Sequence, residues 1–363
     1  MKLRRICSIV FLATLADPCH SQLRDSRHVA SRIQQLMETR SAEGGFNGTV
    51  LVARHGNVLY KGAFGFANLE WKIPNDLETK FEIGSITKQF TAMLVLQFVN
   101  EGKIRLAGHV SEYLSYYRRD TGNRVTIAEL LDHTSGIPNF LSIPGFLTGP
   151  ESRTTYTVQE FVTRFCSGDL QFEPGTRFEY SNSGYFLLGA ILERVSGKDY
   201  EQLLQTHILQ PLGMRESGYT HWQTILPRRA SGYERTPRGY ENARFYDMSI
   251  PFAAGAMYST VGDLLLWDQA LYTDRLLPER LRDLLFRPNL QDYGFGWAIF
   301  VPKPGAPYAG ESIAMHGGAI FGFQSLIQRI PKYKELIVLL DNTDNPKLLE
   351  IARDVRAELA KDQ

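Results

Sequence analysis

The chain of 363 residues carries 40 basic and 39 acidic residues, and 43% of it is hydrophobic. This composition is typical of a soluble globular protein, and the near-zero net charge argues against a nucleic-acid partner, as does the lack of any basic run with interleaved aromatic residues. The length exceeds the roughly 250 to 300 residues at which a single core stops growing, so we expect one folded unit made of two subdomains.

The N-terminus has the pattern of a secretory signal peptide, residues 1–21. A basic start, Lys2–Arg5, precedes the apolar stretch Ile6–Ala16, which is shorter than the about 20 residues that cross a bilayer. Cleavage after Ser21 and an earlier cut at Ala16 both fit the sequence. We therefore expect a periplasmic or secreted protein with no integral membrane segment after removal of the signal.

Cysteine usage fits the same expectation. Cys19 suggests a lipid anchor, but Asp17 and Pro18 precede it where small residues are expected, which argues against lipidation. Cleavage after Ser21 leaves Cys166 as the one cysteine, so the mature chain has no intrachain disulfide and depends on its core for stability.

The predicted elements begin with a helix and a hairpin. Apolar residues at helical spacing indicate a helix over His28–Met37, and two strands, Thr49–Ala53 and Val58–Phe64, flank a turn at 55–57. The middle of the chain is mostly helical. Its clearest helix is Ser85–Gly102, and the others are Thr126–Asp132, Val158–Phe165, Ser183–Val195, Tyr200–Leu209 and Val261–Leu271.

Strand patterns return from Tyr293 onward. The predicted strands are Gly296–Val301, Ser312–Met315, Gln324–Ile330 and Glu335–Leu340, and a last helix follows Pro346 and ends near Lys361. Strands at both ends with helices between them predict an α+β fold, in which about 45–70 and 293–342 share one antiparallel sheet and a helical lobe lies against it. The cleft between sheet and lobe is the natural place for a site.

A first chemical motif is Ser85-x-x-Lys88 at the start of the strongest helix pattern. Residues three apart share a helix face, which places the lysine amine near the serine hydroxyl. A serine is a weak nucleophile until a base removes its proton, and lysine serves as a base once its pKa is lowered. The alternative is a helix-capping serine beside an exposed lysine.

A second motif, Tyr180-Ser181-Asn182, follows a turn signal and precedes a helix. Beside Lys88, the Tyr180 phenol is a candidate general base and later acid, with its phenolate stabilised by the positive charge, and Asn182 can orient the lysine or a substrate carbonyl. The alternative is a half-buried aromatic residue followed by a helix cap.

A third motif, His316-Gly317-Gly318, comes at the end of a predicted strand. Glycines let a substrate backbone approach the strand edge, an adjacent N–H can complete an oxyanion hole, and His316 can supply a proton or a hydrogen bond near neutral pH. The alternative is a turn with a surface histidine.

In this order, the three motifs resemble those of the class C β-lactamase and low-molecular-weight penicillin-binding-protein superfamily. Further stretches typical of that superfamily are Leu130–Gly136, Pro211–Met214 and Tyr293–Trp297. The resemblance implies a β-lactamase/D,D-peptidase-like antiparallel sheet flanked by helices with an inserted all-helical lobe.

The resemblance also implies roles for single residues. Ser85 would be acylated, Tyr180 with Lys88 would move the protons, and the N–H groups of Ser85 and Ala319 would bind the oxyanion. His133 would tie a helix end to its turn. Independently of the resemblance, we expect the loops Asn139–Thr155 and Thr220–Asp247 to set specificity, because binding residues concentrate on loops.

One departure from the superfamily concerns His316, because class C β-lactamases carry a lysine there. A histidine resembles D,D-peptidases, D-aminopeptidases and related esterases, so we expect an exported serine hydrolase acting through an acyl-enzyme on a small-molecule or peptide-like substrate, an amide or an ester. Alternatives are a class C-like β-lactamase and a non-catalytic penicillin- or peptidoglycan-binding protein. No G-x-S-x-G or H-E-x-x-H occurs, and we expect no metal and no cofactor. The oligomeric state stays open.

Overall fold

The computed structural model describes residues 18–361 of the chain. Most of the predicted signal peptide, residues 1–17, lies outside the described residues. Within the described residues, no helix is both long enough and apolar enough to cross a bilayer. Cys166 is a free, buried thiol.

Strands occur near both ends of the chain and at several points between. They are β1 Gly48–Arg54, β2 Asn57–Phe64, β3 Phe66–Asn68, β4 Ile73–Pro74, β5 Phe81–Glu82, β6 Gly218–Tyr219, β7 Tyr233–Thr236, β8 Gly239–Asn242, β9 Met257–Ser259, β10 Ala298–Phe300, β11 Ile313–Ile320, β12 Phe323–Ile330 and β13 Glu335–Asp341.

Helices fill the middle of the chain and flank the main sheet. They are α1 Pro18–Ala42, α2 Thr87–Asn100, α3 Val110–Tyr113, α4 Arg119–Gly122, α5 Ile127–Leu131, α6 Val158–Phe165, α7 Asn182–Ser196, α8 Tyr200–Leu204, α9 Gln210–Leu212, α10 Phe252–Gly255, α11 Val261–Ala270, α12 Glu279–Arg282 and α13 Leu348–Ala360.

The main sheet has the strand order β10-β11-β12-β13-β1-β2 and is antiparallel throughout. The two ends of the chain meet where β1 pairs with β13, from Gly48 opposite Asp341 to Arg54 opposite Glu335. Every residue of β13 is buried, because α1 and α13 cover one face of the sheet and α11 packs on the other. The predicted α+β fold class, with one sheet built from both ends, is confirmed.

The helical lobe is built around two central helices, α2 and α7. Both are buried over most of their length, which is why their sequences are apolar on nearly every side. The predicted cap before α5 is present, since Thr126 accepts a hydrogen bond from the Glu129 amide and Glu129 bonds back to the Thr126 amide.

Several boundaries differ from the predictions, and three of these differences change the conformation or extent of an element. Ser85 lies in a 3₁₀ turn, Gly84–Ile86, ahead of α2, because Gly84 takes a φ of +50° that no α-helix contains. The third motif lies inside β11 instead of past its end, since β11 continues to Ile320 along β12. The predicted helix Tyr200–Leu209 changes after Leu204 to a π-helical turn.

Candidate active site

The first motif joins the 3₁₀ turn to the first turn of α2. The Lys88 Nζ lies 3.1 Å from the Ser85 Oγ, and the lysine side chain is completely buried. Burial lowers the pKa of Lys88 well below its ordinary value, because the charged amine loses its hydration. The structure thus places an amine with weakened affinity for a proton directly beside the serine hydroxyl.

Two further hydrogen-bond partners of Lys88 determine which of its bonds the amine donates and which it accepts. Its Nζ lies 2.8 Å from the Asn182 Oδ1 and 2.8 Å from the carbonyl oxygen of Ala254, and both of these oxygens only accept. A neutral amine has two N–H groups for these acceptors and one lone pair left. That lone pair faces the Ser85 hydroxyl, which can then donate to it.

The Asn182 amide is held in a fixed orientation by a second asparagine. The backbone N–H and the side-chain Nδ2 of Asn182 both donate to the Asn139 Oδ1, each over 3.3 Å. This leaves the Asn182 Oδ1 directed at Lys88. Asn139, near the start of the first predicted specificity loop, is a site residue that the sequence motifs did not reveal.

Tyr180 lies above the lysine, with the Lys88 Nζ 4.9 Å from the centre of its ring. Burial raises the pKa of Tyr180, and a hydrogen bond with the Ser85 side chain offsets only part of that rise. The structure therefore favours a neutral phenol. The predicted phenolate needs a charged Lys88, which the burial of that amine disfavours.

His316 is buried within β11 and has a partner for each ring nitrogen. Its Nδ1 lies 2.6 Å from the Gly317 carbonyl oxygen and its Nε2 lies 2.8 Å from the Tyr293 hydroxyl. The carbonyl only accepts, so a neutral His316 carries its proton on Nδ1 and the Tyr293 hydroxyl donates to Nε2. Burial, and then the charge of Lys88 when it is protonated, lower the pKa of His316 to about 4. The predicted proton donor near neutral pH is thus a neutral ring whose two nitrogens are occupied.

Strand β11 approaches the serine turn backbone against backbone. A Cβ added to Gly84 would lie 2.8 Å from the Ala319 nitrogen, and one added to Gly318 would lie 1.9 Å from the Ile83 carbonyl oxygen. Ser325 fixes the same junction by donating to the Ile83 carbonyl over 2.8 Å. Glycine at 84 and 318 is therefore required for contact, and this contact brings the Ala319 amide beside the Ser85 turn.

His133 supports the site from behind. Its Nδ1 accepts a hydrogen bond of 3.2 Å from the Ser181 amide, and its ring packs 4.3 Å from that of Tyr180. Burial is the main cause that lowers the pKa of His133 well below its usual value, so this ring is neutral. It ties the turn after α5 to the second motif and does not reach the cleft.

Ser85 opens into a cleft of about 300 Å³, which Asn182 and Ala319 also line. Its walls come largely from the two predicted specificity loops and from the end of β11. The wall residues include Phe140, Leu141, Leu147, Glu234, Arg244, Tyr246, Ile320, Phe321 and Asp344. Lys88, His316 and Gly318 are buried and do not line this cleft, and the half-buried Tyr180 is not among its lining residues either.

Besides Asn139, two other groups of the site were not indicated by any motif in the sequence. Tyr293 belongs to the stretch Tyr293–Trp297, where the family resemblance marked a position but gave no contact. The Ala254 carbonyl carries no side-chain signal at all. Within residues 18–361, no three His, Cys, Asp or Glu side chains are grouped as metal ligands would be.

Known relatives share this arrangement of sheet and helical lobe. The sequence model of the Beta-lactamase family matches residues 29–361. Penicillin-binding protein 4* of Bacillus subtilis (strain 168) is 30% identical over 334 residues, which cover 86% of this chain and 71% of the relative.

Two solved structures extend the comparison to three dimensions. A penicillin binding protein from Bacillus halodurans superposes with a TM-score of 0.77 and 27% identity, over 90% of this chain and 98% of that one. A D-stereospecific amidohydrolase from Streptomyces sp. gives a TM-score of 0.75 and 25% identity, over 90% and 98% of the two chains.

These matches confirm the resemblance that the three motifs indicated. The similarity covers almost all of the described chain, including the sheet, the helical lobe and the cleft between them. The chain belongs to the Beta-lactamase family, a family of serine hydrolases to which penicillin-binding proteins are related.

Proposed function

We propose that the protein is an exported serine hydrolase that forms an acyl-enzyme on Ser85 with a peptide-like amide or a carboxylic ester. One observation carries the proposal: Lys88 is buried, and its Nζ is shared among Ser85 and two oxygens that only accept. This arrangement lets a neutral lysine accept the serine proton.

In the acylation step, the Ser85 Oγ attacks the substrate carbonyl carbon while its proton passes to the Lys88 Nζ. The carbonyl electrons move to oxygen, and the amides of Ser85 and Ala319 are placed to bind that oxyanion. Because burial disfavours a charged Lys88, the amine passes the proton on readily. Tyr180 lies beside both groups and can relay it as a neutral phenol.

The leaving group takes this proton when the bond from the acyl carbon to nitrogen or oxygen breaks. In the second half-reaction, water attacks the acyl carbon, the acyl–Ser85 bond breaks, and the water proton returns through Lys88 to the Ser85 Oγ. The same residues thus act first as base and then as acid. Asn182, held by Asn139, keeps the lysine directed at the serine in both steps.

Two observations support an amide or ester over a β-lactam. His316 stands where class C β-lactamases carry a lysine, and its nitrogens are occupied by Gly317 and Tyr293. In addition, a D-stereospecific amidohydrolase is among the structural relatives of the chain. Export is proposed on the N-terminal signal pattern alone.

The test compares the purified wild type with Ser85→Ala and a control, Ser196→Ala, whose serine lies at the end of α7. Substrates are p-nitrophenyl acetate, a D-Ala-D-Ala peptide and nitrocefin, with intact-mass measurement of each reaction. We expect turnover of the ester or peptide and a serine adduct, both abolished only in Ser85→Ala.

Other outcomes select the alternatives. Nitrocefin turnover above that of ester and peptide would point to a β-lactamase. A stable adduct without turnover would point to a penicillin-binding protein without hydrolytic activity. Turnover that persists in Ser85→Ala would contradict the assignment of the nucleophile.

A further inference from the structure

A second pocket, of about 170 Å³, lies next to the catalytic cleft. We call it the side pocket. Its polar lining comes from Glu82, Thr220, Arg229 and Arg244, and its apolar lining includes Trp222, Phe245 and Phe321. Arg244, Tyr246, Ile320 and Phe321 line the catalytic cleft as well, so these four residues form the wall between the two spaces.

Three chain segments bring the polar residues together. Strand β5 with Glu82 pairs with β9, which pairs in turn with β6, and Thr220 follows β6 directly. Arg229 is bridged to Lys80, two residues before Glu82. The side pocket is therefore anchored to the strand that leads into the Ser85 turn.

The polar groups of the side pocket are only partly paired among the described residues. Arg229 donates one hydrogen bond of 3.4 Å from its Nη1 to the His221 carbonyl oxygen. Thr220 is only 2% exposed, and within the described chain its hydroxyl has no hydrogen-bond partner. Arg229 attracts the Glu82 carboxylate, but among residues 18–361 no ion pair joins the two side chains. Buried polar groups without partners are rare in folded proteins, and a bound ligand is one way to satisfy them.

The aromatic rim of the side pocket is open to solvent. Trp222 is 53% exposed and Phe245 is 47% exposed, and their rings meet edge to face 6.0 Å apart. On the inner wall, the Arg244 guanidinium stacks 4.4 Å from the centre of the Phe321 ring and pairs with Glu234. Arg229 uses its Nη1 for the bond to the His221 carbonyl oxygen, and its other guanidinium N–H groups are left for a ligand.

The side chains that line the side pocket fit a ligand that carries both a hydrogen-bond donor and a hydrogen-bond acceptor. A carboxylate only accepts, a guanidinium only donates, and a threonine hydroxyl does both. A peptide-type amide fits, because its N–H can donate to Glu82 while its carbonyl accepts from Arg229 or Thr220. The apolar rim can cover the neighbouring side chain.

From these observations we infer that the side pocket binds a second amide unit of the substrate, on the acyl side of the scissile bond. This inference rests on the proposed function and narrows it, since an enzyme with such a subsite favours peptides over simple esters. Ser85 and Glu82 are three residues apart, so their Cα atoms are at most about 11 Å apart, a distance that two to three extended residues span.

The experiment is a ladder of p-nitrophenyl esters that share one leaving group. The acyl groups are acetyl, N-acetyl-alanyl, N-acetyl-dialanyl and N-acetyl-trialanyl, each prepared with D-alanine and with L-alanine. For the wild type we expect kcat/KM to rise about 5- to 10-fold at the second or third alanine, the effect of one or two good hydrogen bonds.

Thr220→Val removes the unpartnered hydroxyl and keeps the shape of the side chain. We expect this variant to lose the rise along the ladder and to hydrolyse the acetyl ester within about twofold of the wild type. Thr49→Val is the matched control, because the Thr49 hydroxyl is also buried and without a partner in the described chain but lies on β1, away from both pockets. Melting temperatures of both variants should match the wild type.

Two results would overturn the inference: a flat ladder in the wild type, or a rise that Thr220→Val retains. If the wild type hydrolyses none of the esters, the proposed function fails. Calorimetric titration with N-acetyl-alanyl-alanine amide then decides on the side pocket alone. Binding that is lost in Thr220→Val but kept in Thr49→Val would support the pocket, and no binding to the wild type would reject it.

Discussion

The catalytic cluster and the side pocket both contain polar side chains, but they differ in how their polar atoms are paired. In the cluster, the Lys88 amine and both nitrogens of His316 have protein partners within 3.1 Å. In the side pocket, the Thr220 hydroxyl has no partner among the described residues, and Glu82 and Arg229 are not paired with each other.

Full internal pairing is expected of groups that carry out chemistry, and incomplete pairing of groups that recognise a ligand. Catalytic groups need fixed geometry before substrate arrives, which internal hydrogen bonds provide. Recognition groups gain affinity when a ligand supplies the partner that the protein withholds. Removing a group from the catalytic cluster should therefore affect every substrate, whereas removing one from the side pocket should affect only substrates that reach it.

The largest effect is expected for Lys88→Met, which keeps the length of the side chain and removes the base. Without an acceptor for the Ser85 proton, kcat/KM should fall about 10³-fold or more for every ester of the ladder. Steady-state kinetics across the ladder measures this loss, and circular dichroism checks the fold. Lys198→Met, at an exposed lysine after α7, is the control.

If Lys88 acts in catalysis and not in recognition, kcat/KM should fall by the same factor for every ester of the ladder. A loss of less than tenfold would remove Lys88 from the role of base and leave Tyr180 as the candidate. A loss confined to the longer esters would mean that Lys88 acts in recognition.

A smaller effect is expected for Tyr293→Phe, which takes away the donor to the His316 Nε2. The nitrogen then stays buried without a partner, which should lower the free energy of unfolding by about 1 to 2 kcal/mol. Because the freed ring can turn away from Gly317 and loosen β11 beside the oxyanion site, we expect kcat/KM to fall about tenfold.

Urea denaturation and kinetics on the acetyl ester measure the two quantities. Tyr156→Phe, at a partly buried tyrosine ahead of α6, is the control for loss of a phenol elsewhere in the helical lobe. Unchanged stability together with unchanged kcat/KM would show that the Tyr293–His316 hydrogen bond does not position the strand.

The sheet and the main residues of the catalytic cluster can be predicted from the sequence, whereas other groups cannot, for physical reasons. The spacing of Ser85 and Lys88 follows from local helix geometry, and the strand runs at both ends predicted one antiparallel sheet. The sequence predicts the third motif at the end of a strand, because the apolar pattern stops at Met315 and glycines follow. Its inclusion in β11 depends on pairing with β12, which is a tertiary contact.

The remaining groups depend on contacts between distant segments. Asn139 acts on Asn182 across 43 residues, and the Ala254 carbonyl meets Lys88 across 166 residues. Every residue has a backbone carbonyl, so the residue type at position 254 does not indicate this contact. The side pocket likewise joins β5 to the segment after β6, so Glu82 and Thr220 carried no common signal in the sequence.

The smallest effect is expected for Glu82→Gln, measured as stability without any ligand. Burial raises the pKa of Glu82 to about 7, and the nearby Arg229 only partly opposes this rise. Because the folded state holds the proton more tightly than the unfolded state, this carboxyl contributes stability below a pH of about 4.5, and that contribution is lost as the pH rises through about 7.

Glutamine does not titrate, so Glu82→Gln should match the wild type near pH 5 and exceed it by about 1 to 2 kcal/mol near pH 8. Urea denaturation at the two pH values measures the difference, with Glu241→Gln on the exposed strand β8 as the control. A higher free energy of unfolding for Glu82→Gln at pH 8 would show that the Glu82 carboxylate lacks an adequate partner in the protein. This is the property expected of a recognition group. Equal stability at both pH values would mean that the carboxylate is already satisfied within the protein, and the contrast with the catalytic cluster would then rest on Thr220 alone.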